Sequence, residues 1–492
     1  MKASRILAAA AAAFALRAGS TTVWPDYLGI AVPRNIAPLN FKYDDFPEGA
    51  EFSTTAESSD GSVSVTVRGA DVSWPADEWR RLLEKSAGGT FTITLSGKTN
   101  GVMLAGFPLV ATNTVPPDGI DPYLTYRLIP PSYTGFSEMG IYQRNLESFD
   151  ERPVYRNVQT DPSQCVNCHT FNRADPGQYL FHARATLPGT IVVSRKYGKK
   201  KVDLKAKGLI GAGVYPAWHP SGDYIAFSLN ETRQSFFTAN TEKIEVMDLQ
   251  SDLVLYSLAD DTITVVEDAP EIFECFPSWS PDGTALFTVR ASTGITVPPD
   301  DQAARGEAVF NGATNIFYDL AVRTFDAKTR KFSPPEILFD AKSAHRSITH
   351  PRVSPDGRWL VATIASHGVF HIWHRDADLL MFDFEKKAIR PLFELNSPDT
   401  ESYHTFSSTG KWMVFSSRRD DGAYTRPYFT CFDSKSGVFS KPFLLPARRP
   451  DDHLRRMYSY NVPEFATGPV AESAVDIHEL VKRIPVRAKI AK

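Results

Sequence analysis

The chain reads as a mainly β protein: a β-sandwich-like N-terminal domain, a connection bearing the motif CVNCH, and a C-terminal β-propeller. Two observations predict this: a hairpin unit repeating through the second half, and short alternating runs broken by Gly, Asp, Asn and Pro in the first quarter. A third, the length of 492 residues with 42% hydrophobic and 12% aromatic content, exceeds one ordinary domain and supplies ample core.

Residues 1–18 read as an export signal. Lys2 and Arg5 precede ILAAAAAAFAL, an apolar core too short to span a bilayer, followed by the small-x-small pattern Ala13-Phe14-Ala15. No cysteine follows it for lipid attachment, and no later segment is apolar for long enough to be transmembrane. A periplasmic protein is expected. The formal net charge of −3 is spread over a mixed-sign surface, which argues against nucleic acid as a partner.

From residue 23 to 146, SVSVTVRG, GTFTITLSG and GVMLAGFPLVAT read as strands of the sandwich-like domain. PADEWRRLLEKSAG interrupts them with one amphipathic helix, opened by Pro75, faced by Trp79, Leu82 and Leu83, and stopped at Gly88-Gly89.

Residues 147–188 carry Cys165-Val-Asn-Cys168-His169. Two cysteines two residues apart, followed directly by histidine, is the spacing at which thiols take up the haem vinyl groups and the imidazole reaches the iron. Cysteine is scarce here, four in all, and neither a second Cys/His pair for zinc nor a thioredoxin-like unit accompanies the motif. One covalent haem c is expected, anchored by Cys165 and Cys168 with His169 as proximal ligand, and export places the chain where such attachment occurs. His182 is the first choice as distal ligand. Met139, Met247 and Met457 are thioether alternatives, and an open sixth position remains a further one. No pair of long helices flanks the motif, so the haem must pack on another domain.

Residues 189–463 hold the repeat. YPAWHPSGDYIAFS, FPSWSPDGTALFTV, HPRVSPDGRWLVAT and YHTFSSTGKWMVFS align on Gly222, Gly283, Gly357 and Gly410, each a strand, a polar turn and a second strand. A further hairpin with an acidic turn follows each, so a unit has four strands and is a propeller blade. Five to seven blades fit the segment, and at about 45 residues per blade six is the expected number. Residues 464–492 are a C-terminal tail.

The turns resemble the repeats of TolB-type periplasmic propellers, whose hallmark is W-S-P-D-G. Trp279-Ser280-Pro281-Asp282-Gly283 matches it fully, and Ser408-Thr409-Gly410 departs from it. With NIAPLNF near its start and CVNCH before the repeats, the whole chain looks like exported TolB-like proteins carrying one haem-type motif. The resemblance implies an architecture and a compartment without a reaction.

His350 and His404 begin inner strands, and Glu274 and Glu401 fall in corresponding segments, which predicts a polar binding site at the channel mouth. SHGVFHIWHRDADLL places His367, His371 and His374 beside Asp376 and Asp378, a composition able to bind metal where the loop folds back, and otherwise a set of packing or surface histidines. No G-x-S-x-G elbow or sialidase-type constellation is present, which argues against a hydrolase. Two functions remain: a haem-bearing electron-transfer protein docking a periplasmic redox partner, or a TolB-type protein-binding scaffold in the envelope whose haem is structural or sensory.

Overall fold

A computed structural model describes residues 23–44, 46–131, 138–159, 164–237, 242 and 244–491; the expected signal sequence lies outside the described residues. No helix among them is long and apolar enough to cross a membrane.

The repeated turn sets the frame. In each, the glycine N–H donates to the carbonyl three residues back: Gly222 to His219 at 2.8 Å, Gly283 to Ser280 at 2.9 Å, Gly357 to Ser354 at 2.8 Å and Gly410 to Ser407 at 2.9 Å. Their φ values are +75°, +75°, +76° and +70°, left-handed conformations that glycine adopts without strain. Each turn also leans on its predecessor. A Cβ at Gly283 would lie 2.4 Å from His219, and one at Gly410 would lie 3.1 Å from Pro355, so the four glycines stand one rotational step apart.

Those steps belong to a ring of six blades. The inner strands are Cys165–Phe171, Gly213–Trp218, Ile272–Trp279, Ser347–Val353, Glu401–Phe406 and Ser459–Ala466. Each packs on the next, and the last packs on the first. From each, antiparallel strands run outward: in blade four, Trp359–Ala365, Asp378–Asp383 and Ala388–Pro391. One bridge between Ser251 and Phe273 joins the sheets of blades two and three.

Blade six closes the ring with both halves of the chain. Its inner strand Ser459–Ala466 pairs with Tyr123–Ile129, which continues to Gly140–Asn145 and Glu151–Arg156. The propeller therefore runs from 123 to 466, wider than the 189–463 expected from the repeats. The closing strands lack the S-P-D-G turn, and the CVNCH strand is itself the inner strand of blade one, so neither showed as a repeat. The tail is structural too. Val486–Arg487 and Lys489–Ile490 extend blades one and two as parallel edge strands, and the helix Ala474–Lys482, opened by a Ser473/Asp476 capping box, buries Ile477, Leu480 and Val481 against blades six and one.

The N-terminal domain ends by Val115. A five-stranded sheet is built on Glu51–Ser58 and Gly89–Thr99, with a three-stranded sheet beside it. The expected helix is Ala76–Ser86, with Trp79, Leu82 and Leu83 buried, each such burial stabilising by roughly 1.5–3 kcal/mol. This core is continuous with blade five through Trp412, Phe429 and Phe443, and Asn40 Nδ2 donates to the Arg448 carbonyl at 2.9 Å.

Candidate functional site: the propeller axis

All six inner strands are broken at one level by a bulge, between Asn167/Thr170, Val214/Ala217, Cys275/Ser278, Thr349/Arg352, Ser402/Thr405 and Asn461/Glu464. Each bulge holds one non-glycine residue at left-handed φ: Cys168 at 52°, Tyr215 at 46°, Phe276 at 52°, His350 at 49°, Tyr403 at 49° and Val462 at 49°. Such a conformation costs about 1–3 kcal/mol and persists where surrounding structure over-determines it; a bulge re-aims the side chain. Here the side chains converge on the axis. Ring centroids lie 4.1 Å apart for Tyr215 and Phe276, 3.9 Å for Phe276 and His350, and 4.5 Å for His350 and Tyr403. Cys168 and Val462 complete the circle, which plugs the channel. Burial pushes up the pKa of the Tyr215 and Tyr403 phenols, and Cys168 adds to both shifts.

The following residue is Pro216, Pro277, Pro351 or Pro463 in four blades and His169 or His404 in the other two. The two histidines are used alike. His404 Nε2 donates to the Val361 carbonyl at 2.8 Å, and His169 Nε2 donates to the Thr125 carbonyl at 3.3 Å; in both cases the acceptor is on the second strand of the preceding blade. Nδ1 of each is buried without a hydrogen-bond partner. Burial pushes the pKa down to about 4 for His169 and about 3 for His404, so both are neutral clamps between blades.

This arrangement tests the expected haem ligands. All the cysteines are free. Cys165 Sγ lies 3.5 Å from Arg127 Nη2, which also meets Met139 Sδ at 2.9 Å; Cys168 faces the axis, and His169 turns into the seam towards blade six. His182 is on the other face of the same sheet. Its Nδ1 meets Thr190 Oγ1 at 2.9 Å and its ring lies 5.9 Å from Phe227 of blade two. Two imidazoles on opposite faces of one sheet cannot bracket one iron, which corrects His182 as distal ligand. Met247 packs in the core of blades two and three, and Met457 is exposed. As placed, Cys165 lies against Arg127, Cys168 faces the axis and His169 Nε2 is held by the Thr125 carbonyl, so a covalent haem with His169 on its iron requires that bond to break.

On the turn side of the plug, two residues beyond each ring position, Thr170, Ala217, Ser278, Arg352, Thr405 and Glu464 floor a cavity of about 490 Å³. Its walls are Phe171, Trp218, Trp279, Phe406 and Phe465 with Pro220, Pro281 and Pro355 from the turns. All six blades contribute. Glu464 accepts from Thr170 Oγ1 at 3.0 Å and from the Phe171 N–H at 2.9 Å; burial pushes its pKa up and the Arg352 guanidinium opposes that. The floor thus offers hydroxyls, one cation and one carboxyl inside an aromatic and proline wall.

No family model and no curated protein matches this chain. Among solved structures, TolB from Acinetobacter baumannii is similar at TM-score 0.42 and 12% identity, over 79% of this chain and 84% of that one. An oligogalacturonate lyase in complex with manganese is similar at TM-score 0.36 and 14% identity, over 65% and 73%. Kuenenia stuttgartiensis hydrazine synthase gives TM-score 0.41 and 10% identity, over 67% and 47%. Likenesses this distant carry no argument about function, and the propeller rests on the strand pairing above.

The expected channel-mouth set divides. His350 is in the axial plug, whereas His404 is a clamp between blades. Glu274 and Glu401 are fully buried and committed inside their blades: Arg323 Nη2 lies 2.9 Å from Glu274 Oε2, and Arg419 Nη2 lies 3.0 Å from Glu401 Oε1. Two residues before the ring position the side chain points along the blade, which is why both glutamates miss the mouth. The floor pair Arg352 and Glu464 was not expected. A signal for it was present, since HPRV at His350–Val353 and VPEF at Val462–Phe465 are the same piece of blade as CHTF at Cys168–Phe171 and YHTF at Tyr403–Phe406.

Proposed function

We propose that this protein is a binding propeller whose funnel receives an extended segment of a partner protein, with a carboxylate of that segment held by Arg352. One observation carries the reading. The cavity is shut by the axial plug and open at the turns, and its size of about 490 Å³ suits a segment of a few residues. Trp218, Trp279 and the turn prolines supply apolar contact, Ser278 and Thr405 supply hydroxyls, and Arg352 supplies the charge-assisted hydrogen bond that fixes direction. Export, expected from residues 1–18, makes an envelope protein the partner. A photo-crosslinking amino acid at Ser408, on the funnel rim, is expected to capture one envelope protein in cells. Capture is lost in Arg352→Gln and absent when the probe sits at Lys387 on the outer edge of blade four. Equal capture from both positions would sink the proposal.

The second reading is a haem protein that passes electrons to a redox partner. Its support is the CVNCH spacing together with two free, partly exposed thiols. It requires His169 to leave the Thr125 carbonyl. Intact mass of protein produced with a bacterial haem-maturation system decides it: one added haem favours this reading, and an unmodified mass removes it.

A further inference from the structure

Blade two has a hairpin unlike any other. Its second and third strands, Tyr224–Phe236 and Ile244–Ser257, run 13 and 14 residues, where those of the other blades run six to eight. At 3.3 Å per residue the excess projects the hairpin by about 20 Å. It leaves from the face opposite the funnel. Its far end, where Glu245 pairs with Ser235, reaches the blade-four loop 366–377.

Glu245 meets two of that loop's three histidines. His374 Nε2 lies 2.9 Å from Glu245 Oε2, the rings of His367 and His374 are 4.9 Å apart, and one ligand atom from each of Glu245, His367 and His374 lies within 4.8 Å of the others. The His374 and Glu245 side chains are 2% and 12% exposed. Glu245 Oε1 is buried with no hydrogen-bond partner. It sits 3.3 Å from where Gly368 would carry a Cβ, so the glycine leaves the cluster open. His367 Nδ1 meets Ser366 Oγ at 2.9 Å, which leaves its Nε2 for a ligand. His371 is committed elsewhere, with Nδ1 at 3.0 Å from Thr349 Oγ1 and Nε2 at 3.0 Å from the Gly368 carbonyl.

We propose that Glu245, His367 and His374 bind one divalent transition-metal ion, Zn²⁺ by the chemistry of the donors, and that the ion fastens the blade-two hairpin to blade four. Two imidazoles and a carboxylate suit zinc, whereas Mg²⁺ and Ca²⁺ select all-oxygen sets. Bonds of about 2.0–2.1 Å place tetrahedral ligand atoms roughly 3.3 Å apart. The His374–Glu245 pair is already inside that separation, and closing the set asks a shift of the half-buried His367. Coordination at His374 Nε2 takes the place of its hydrogen bond to Glu245 Oε2. Water fills the fourth position.

The test is calorimetric titration of chelator-treated full-length protein with Zn²⁺, with bound metal counted after gel filtration. One ion per chain is expected in the wild type, with affinity at least about tenfold weaker in both His367→Ala and Glu245→Gln. Glu245→Gln keeps the size of the side chain, so its loss reports ligation where the circular dichroism is unchanged. A wild type that binds no Zn²⁺, or variants that bind as tightly as the wild type, would overturn the site.

Discussion

If His169 is a clamp between blades, its removal and that of His404 should have the same effect. His169→Ala deletes the hydrogen bond to the Thr125 carbonyl and the packing of a 4%-exposed ring, together roughly 2–3 kcal/mol. Over a propeller of this length, with an unfolding entropy near 2.1 cal/mol/K per residue, the melting temperature falls by roughly 3 °C. His404→Ala loses the equivalent bond to Val361 and should fall by a similar amount. His169→Pro should fall less than His169→Ala. Proline stands at this position in four blades, and residue 169 lies inside the bulge, between the paired Asn167 and Thr170, where no ladder bond from its amide is needed. Differential scanning calorimetry of the wild type and three variants measures the order, and visible spectra of the same samples report any iron. A stability loss in His404→Ala alone would refute the clamp, and a spectral change in His169→Ala alone would put His169 on an iron.

Gly283→Ala should destabilise clearly more than Gly357→Ala in chemical denaturation: both force left-handed φ on alanine, about 1–2 kcal/mol, but only at Gly283 does the new Cβ strike a neighbour, 2.4 Å from His219 against 3.9 Å from Pro281. Asp252, raised from 3.8 to about 7 by burial and then by Asp268, Glu267 and Glu231, binds its proton more tightly folded than unfolded. Its contribution is therefore full below pH 4 and lost as pH rises towards 7. Asp252→Asn should match the wild type at pH 4 and exceed it at pH 8, by at most roughly 4 kcal/mol at 1.4 kcal/mol per pH unit; an equal gain at both pH values would remove the charge as the cause. Glu274→Ala leaves Arg323, 5% exposed, with one carboxylate fewer and should cost about 3–5 kcal/mol, as breaking a buried pair does, whereas truncating the exposed partner in Arg195–Asp175 should cost under about 1 kcal/mol.

Local patterns carried much of the fold. The glycines at 222, 283, 357 and 410 and the alternation around them were legible because a β-hairpin is built from neighbours in sequence, and the turn dictates its own residue types. The helix Ala76–Ser86 was legible from the spacing of Trp79, Leu82 and Leu83 for the same reason. The CVNCH segment shows where such reading stops. Its spacing describes a haem site, while its conformation is that of an inner strand whose Cys168 and His169 occupy positions that every blade fills.

By itself, the sequence determined that blades form and which turns join their strands, since those depend on contacts within a few tens of residues. Only the tertiary structure decided that Ser459–Ala466 and Tyr123–Ile129 close one blade, that Cys168, Tyr215, Phe276, His350, Tyr403 and Val462 share one ring, that Arg352 and Glu464 share one floor, and that Glu245 reaches His367 and His374. The physical reason is that these residues have no common chemistry. What they share is a backbone bulge or a place around the axis, and that place exists only once six sheets have packed in a circle.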